Sequence, residues 1–524
     1  MNVQAGAEPR LVVVISYDQY RGDFPRTFSR FATSQGFNRV QREGAWFPNC
    51  RFEFASTLTG PGHATLLTGC NPSRTGIVGN DFFDSAMQRT MYCVEDTVHG
   101  RSPGLLRVPT IGEKLRNRDP RSKVASIAIK DRAAILMAGK SAYPVLWFEA
   151  SAGGFTTSTY YRRPPWLGIL NSSIRFTDWS NRTWRAGIPD SLDPARDDVP
   201  AEGTMSGGRR SFPYRMPDAD VHPKEYAEDF VRAPYSVSYL FDAAWEVIRR
   251  ERLGQDTIAD MLCIGVSTTD MLGHTFGPDS REVQELYRAC DTTLARFIGD
   301  LDEAIGREHY VLVISSDHGV APVPEVIRQA AQAQGVEVDA GRLLRKQIAH
   351  SVDSALNAHV GATDSGTWVR EFHVPSIWLD TLRCYQFGIS RTLAASVATA
   401  ALRNVHGIAI AITHEDVASG LPCSPDIGPD NCLLLRNSFD ADRSGDVVLY
   451  PSRYWVLGSA PATHGSLHDY DRHVPLMIMG GGIPAAELTA AVSPADIAPT
   501  LATLLGLTLE NVDGKPLPLF QTSK

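Results

Sequence analysis

The chain has 524 residues, of which 43% are hydrophobic and 21% charged, and a formal charge of −8 at pH 7. Such values are ordinary for a globular protein, and the acidic balance argues against a general nucleic-acid binder, which carries a basic excess. No apolar run reaches the ~18 residues that a membrane span needs. The opening MNVQAGAEPR has neither the basic nor the apolar region of an export signal. A periplasmic or extracellular location is expected if this is a mature chain, and a cytoplasmic one if it is the precursor. Eight cysteines in so long a chain do not make a disulfide scaffold, and no Cys-x-x-Cys pair suggests a zinc ribbon. Cys423 and Cys432 flank a turn-rich loop that a disulfide could staple in an oxidising compartment; free buried thiols are the alternative.

In chain order, the first β-branched run, RLVVVISYD, ends at Asp18. The stretch ASTLTGPGHATLLTGCNPSRTGIVGN, residues 55–80, places Thr59 before a Gly-Pro pair that suits the first turn of a helix. SKVASIAIKDR then reads as a strand closing at Lys130 and Arg132, and DMLCIGVSTTD as one closing at Asp270. HYVLVISSDHG ends at Asp317 and His318, and HVPLMIMGGG follows His464 by a few residues. Continuous apolar runs of this kind suit a parallel sheet buried on both faces. Helical patterns such as SVSYLFDAAWEVIRRERL and REVQELYRACDTTLARFIGDLDEAIG lie between them. The expected fold is α/β: a doubly wound, mostly parallel central sheet flanked by helices, in a single domain over residues 1–524. Residues 151–228 and 336–445 interrupt the alternation and are read as insertions covering the active-site edge. Most aromatics of the first, including those of TYYRRPPW, are assigned to packing.

Open α/β sheets place their ligand crevice at the carboxyl ends of the strands, and that is where the polar residues collect. Asp18, Asp270, His274, Asp317, His318 and His464 form a set of three carboxylates and three imidazoles, suited to two zinc ions with open coordination positions. Asp270 and His274 are one helical turn apart and can face one ion. Each residue alone is as readily a helix cap or a hydrogen-bonded acceptor; six on one edge are not six accidents. Thr59, at a helix start, would lie among unpaired backbone N–H groups, a ready anion site; the competing reading is that it only caps the helix. Lys130 and Arg132, two apart on a strand, would project to one side and could reach one ligand together.

These motifs together resemble the alkaline phosphatase superfamily, and within it the zinc-dependent phosphomonoesterases with a threonine nucleophile. The resemblance covers nearly the whole chain: ISYDQYRGD, the threonine segment, GIVGND, IKDR, STTDMLGHTFGP, SSDHG, THGSLHDYDRHVPLMIMG and ADIAPTLATLLGL. It implies that Asp18, Asp317 and His318 hold the ion beside the nucleophile Thr59, and that Asp270, His274 and His464 hold the ion beside the leaving group. CNPSR resembles the sulfatase signature, whose cysteine becomes the nucleophile. In the register of that family, however, the nucleophile falls on Thr59 and its proline on Pro61, which makes Cys70 a decoy.

The expected activity is metal-dependent hydrolysis of small phosphate monoesters through a covalent phosphothreonine, with Asn80, Lys130 and Arg132 binding the phosphoryl oxygens. The alternative is a phosphodiesterase or nucleotide pyrophosphatase on the same two-metal site, since such relatives share the metals and the threonine. Arg21, Arg74, His63, His468 and His473 are expected to be structural or to support the site from outside the ligand set.

Overall fold

The computed structural model describes residues 8–192, 195–420 and 427–520. Nine strands form its main sheet, in the order Ala486–Glu487, Ala45–Trp46, Met477–Gly480, Tyr310–Ser315, Leu11–Tyr17, Asp260–Val266, Val124–Ala128, Val145–Glu149 and Gly154–Thr156. The five strands from Tyr310–Ser315 to Val145–Glu149 run parallel. Every residue of Leu11–Tyr17 is buried. Its side chains alternate between two cores: Leu11, Val13, Ile15 and Tyr17 enter one, Val12 and Val14 the other. The first core is built with the long helices Pro234–Glu251 and Arg281–Ala304, the second with Thr59–Thr68, Asp131–Ala138 and Ile497–Leu504. Helices on both faces explain why the strand shows no polar alternation.

Met477–Gly480 departs from the expected parallel run and pairs antiparallel with Tyr310–Ser315. The reason lies in its connection. His464 precedes this strand instead of following it, so the strand must start at the ligand edge and run back across the sheet. Strand Val124–Ala128 also ends earlier than IKDR suggests: Lys130 is the N-cap of helix Asp131–Ala138, and Arg132 sits in that helix's first turn. Strand parity therefore does not align the two side chains.

Residues 151–228 contribute the antiparallel edge strand Gly154–Thr156 and bury Trp166, Trp184, Tyr214 and Tyr226 in the first core. The later segment forms a separate antiparallel sheet in the order Val369–His373, Ser376–Leu379, Val447–Pro451, Ile408–Thr413, with the helices Arg345–Val360 and Arg391–Leu402 around a core of their own. Its strand Val447–Pro451 lies beyond residue 445. His373, at the tip of that sheet, meets Thr90 Oγ1 at 3.0 Å, so the sheet leans on the hairpin that follows Asn80. The pairing considered for Cys423 and Cys432 falls outside the described residues. Among those described, no helix is long and apolar enough to cross a membrane.

Candidate active site

Four neighbouring parallel strands deliver the site from their carboxyl ends. Asp18 follows Leu11–Tyr17 directly, Lys130 lies just past Val124–Ala128, and helix Thr268–Phe276 follows Asp260–Val266 with Asp270 in its first turn and His274 one turn later. Asp317 and His318 follow Tyr310–Ser315. His464 arrives from the loop ahead of Met477–Gly480. All six residues expected to hold metal thus meet at one edge, and two groups of ligand atoms form: Asp18, Asp317 and His318, and Asp270, His318 and His464. His274 Nε2 adjoins the second group, 3.1 Å from Asp270 Oδ1. His318 belongs to both groups, its ring stacked on that of His464 with centroids 3.5 Å apart.

Three features suit this set to cations. First, each histidine donates Nδ1–H to a backbone carbonyl: His274 to Ala462, His318 to Gly319 and His464 to Thr57, at 2.8–2.9 Å. That fixes the tautomer and leaves each Nε2 lone pair facing the carboxylates. Second, the buried Asp18 Oδ1 accepts no hydrogen bond, and Asp317 Oδ2 has only His63 Nδ1 near it, at 3.1 Å and shared with Thr59 O, while His318 Nε2 is 3.4 Å from both. Third, burial and the neighbouring Asp317 charge push the Asp18 carboxyl well above its ordinary range, and Lys130 does not fully offset them. A site that gathers carboxylates yet cannot ionise them all calls for more positive charge.

Lys130 supplies part of that charge. Its Nζ lies 2.6 Å from Asp18 Oδ2 and 2.5 Å from Asp270 Oδ2. The ammonium is therefore set between the two ligand groups and not side by side with Arg132, as the strand reading had it. Against the opposing effect of burial, His274 in its protonated form and Lys130 hold Asp270 well below the usual carboxylate range, so a cation at His274 Nε2 would take the place of that proton. Burial also lowers His318 to about 3, so its imidazole is neutral.

Thr59 is the first residue of helix Thr59–Thr68, and Leu58, in extended conformation, is the N-cap. The Thr59 hydroxyl thus does not cap the helix; its Oγ1 lies 3.4 Å from His318 Nε2 and 3.5 Å from Arg132 Nη2. The helix start offers fewer free N–H groups than expected. Gly60 N–H donates to Asn80 Oδ1 at 2.8 Å, Pro61 has none, and Gly62 N–H returns to Leu58 O. With its oxygen engaged, Asn80 keeps its amide NH2 as the donor. Arg132 is aimed by a contact the sequence did not reveal: Tyr92 OH donates to Asp131 Oδ1 at 2.5 Å and receives Arg132 Nη1 at 3.2 Å. Tyr92 belongs to a hairpin distant in sequence, and only the neighbouring Asp131 in IKDR hinted at a partner.

Cys70 lies beyond Gly69 at the far end of helix Thr59–Thr68, about 15 Å from Thr59 at ~1.5 Å per residue. It is buried, and burial raises its thiol pKa. His63 Nδ1 lies 2.9 Å from Thr59 O and 3.1 Å from Asp317 Oδ2, outside both ligand groups. His468 and His473 bond the carbonyls of Pro451 and Pro48. Arg21 pairs with Asp23 and Asp279, and Arg74 with Asp513.

An α/β sheet presenting two carboxylate–imidazole groups and an uncapped threonine to one crevice defines a metal-site hydrolase of the alkaline phosphatase superfamily. Over residues 12–471 the chain matches the type I phosphodiesterase / nucleotide pyrophosphatase family, and it belongs to that family. It is 30% identical to alkaline phosphatase PhoV of Synechococcus elongatus over 96% of this chain and 91% of that one. To alkaline phosphatase PhoK of a Sphingomonas species it is 31% identical, over 98% and 92%. The crystal structure of wild-type alkaline phosphatase PafA superposes with a TM-score of 0.89 at 26% identity, covering 98% of this chain and 99% of that one. A PafA variant with threonine changed to serine, and asparagine, lysine and arginine to alanine, gives 0.88 with the same identity and coverage.

Proposed function

We propose that this protein hydrolyses small phosphate monoesters to alcohol and inorganic phosphate, with Thr59 as nucleophile and two zinc ions as cofactors. The observation that carries the reading is the place of Thr59 Oγ1, 3.4 Å from His318 Nε2 at the side of the group Asp18, Asp317, His318 and within 3.5 Å of Arg132. Four ligands at about 2.0–2.1 Å from a tetrahedral zinc lie about 3.3–3.4 Å from one another, the spacing of His318 Nε2 to Asp18, to Asp317 and to Thr59. Asp18, Asp317 and His318 would hold one ion, and Asp270, His274 and His464 the other. When bound, such ions lower the pKa of a ligated hydroxyl or water and stabilise charge on the attacking and leaving oxygens.

The chain's own groups account for the rest. Thr59 Oγ attacks phosphorus in line; the O–P bond to the leaving alcohol breaks, and a phosphothreonine forms. Water then attacks that phosphorus, the threonine oxygen leaves, and phosphate is released. Arg132 and the Asn80 NH2 stand on the Thr59 side of the crevice as donors to non-bridging oxygens, where preorganised charge acts on the transition state. A monoester presents three such oxygens and two negative charges, so Lys130 beside Asp18 adds cationic field that a diester needs less. The PafA variant alters the same four residue types, with the threonine-to-asparagine and lysine-to-arginine spacings found here.

A side-by-side assay at alkaline pH would test the reading, using an aryl phosphate monoester, the matching diester and the matching sulfate, each with and without chelator. A chelator-sensitive preference for the monoester is the expected result. A preference for the diester would move the protein to the phosphodiesterase side of its family.

A further inference from the structure

Gln19 immediately follows Asp18, and its backbone is in the left-handed region at φ 66°. Among the described residues seven non-glycines have positive φ, and Gln19 is the one that is buried, at 3% exposure. A non-glycine there is strained and persists only where its surroundings impose it. What the turn achieves is visible in its partners. It points the Gln19 N–H at Asp317 Oδ1, 3.2 Å away, and sends the side-chain amide the other way, where Nε2 donates to Asp270 Oδ1 at 2.8 Å. One residue thereby holds a carboxylate from each ligand group while adjoining a third, Asp18. The facing helix is shaped for it: a β-carbon on Gly273 would lie 1.9 Å from Gln19 Oε1. Gly273 stands between Asp270 and His274, so the helix is bare at the point where the carboxamide enters.

We infer that Gln19 is a positioning residue that ties the two metal sites together, its side-chain amide orienting Asp270 towards the ion shared with His274 and His464. The inference rests on the two-site assignment proposed above. Asp270 Oδ1 faces His274 Nε2 and His464 Nε2 at 3.1 and 3.5 Å. Lys130 Nζ holds the other oxygen, Oδ2, at 2.5 Å, but a carboxylate held at one oxygen can still turn about χ2 and offer Oδ1 only part of the time. The Gln19 amide removes this freedom, much as outer hydrogen bonds to ligands do elsewhere, where their loss costs 10–100-fold in metal affinity. Because only the backbone of Gln19 touches Asp317, changing its side chain should spare the site beside Thr59.

The test is zinc binding to chelator-stripped protein, by competition with a chromophoric chelator, for wild type, Gln19→Met and Gly273→Ala. Gln19→Met keeps the length of the side chain and removes the donor; Gly273→Ala keeps the glutamine and displaces its amide. Wild type should bind two ions. Both variants should keep one ion at wild-type affinity and hold the other about 10–100-fold more weakly. The weakened ion should be the one that His274→Ala loses, and the visible spectrum of cobalt-loaded protein should change for that site alone. Second-ion affinity unchanged in both variants would overturn the inference. So would equal weakening of both ions with a lower apo-protein Tm, the mark of a merely structural residue. Fewer than two ions on wild type would overturn the two-site assignment and the inference with it.

Discussion

At the scale of single residues, Thr59 depends on neighbours that hold it without consuming its hydroxyl. The N-cap is Leu58, so the side-chain oxygen is left to His318 Nε2 and Arg132 Nη2. Thr59→Ala should therefore abolish monoester turnover while bound metal, measured by atomic absorption, stays at the wild-type level; activity near wild type would remove Thr59 as nucleophile. Arg132 in turn leans on Tyr92, whose hydroxyl lies between it and Asp131. A hydrogen bond to a charged group contributes about 1.5–3 kcal/mol. Tyr92→Phe should lower kcat/KM for a monoester by roughly tenfold or more, about 1.4 kcal/mol per tenfold, with little change in Tm. Asp18, Asp270 and Asp317 were legible as candidates because carboxylates directly after apolar, buried strands need a partner. Gln19 and Tyr92 were not, since a strand-end pattern does not say which way the next turn sends a side chain.

At the scale of elements, helix Thr59–Thr68 approaches the Asp317 loop so closely that it needs a glycine. A β-carbon on Gly62 would lie 2.0 Å from Asp317 O, a backbone atom that cannot swing aside. Gly62→Ala must push the helix, and Thr59 with it, away from Asp317 and His318. Overpacking of this kind costs about 1–3 kcal/mol. The expected result is a Tm several degrees lower and a larger proportional loss of kcat than of substrate binding. Gly299 is the control: it lies in helix Arg281–Ala304 with no atom near its β-position. Gly299→Ala should stabilise the protein by about 0.5–1 kcal/mol and leave kcat alone; equal behaviour of the two variants would deny Gly62 its packing role. Element scale is also where the strand reading of IKDR failed. A helix begins at Asp131 as readily as a strand continues, and the choice is made by packing of Ala133–Ala138 into the second core.

At the scale of the whole molecule, the fold also buries carboxyls outside the two ligand groups, Glu282 and Asp471 among them. Burial pushes Glu282 and Asp471 up to about 7 each, even though Tyr214 and Ser466 donate hydrogen bonds to them. In the unfolded chain both titrate near 4. Between about pH 4 and pH 7 the native state thus holds protons that the unfolded chain has released, so these groups make stability fall as pH rises through that window. Urea unfolding of chelator-treated protein at pH 5 and pH 7.5 should show a smaller loss for Glu282→Gln and for Asp471→Asn than for wild type. The difference should be about 1–3 kcal/mol per group, since about two pH units of that window lie between pH 5 and pH 7 and each is worth about 1.4 kcal/mol. Identical losses would mean that neither carboxyl is protonated in the native state at pH 5.

Chain-local chemistry determined the fold class, the edge of the sheet on which function gathers, and the set of acidic, imidazole and hydroxyl side chains found there. Those features follow from hydrophobic periodicity and from the cost of burying charge, both written residue by residue. The tertiary structure decided the rest. It sent Met477–Gly480 backwards so that His464 could reach the crevice, placed Lys130 between Asp18 and Asp270, and turned Gln19 to touch both ligand groups. Each of these depends on where distant segments come to lie, and a linear pattern carries periodicity but not the directions in which strands return or turns open.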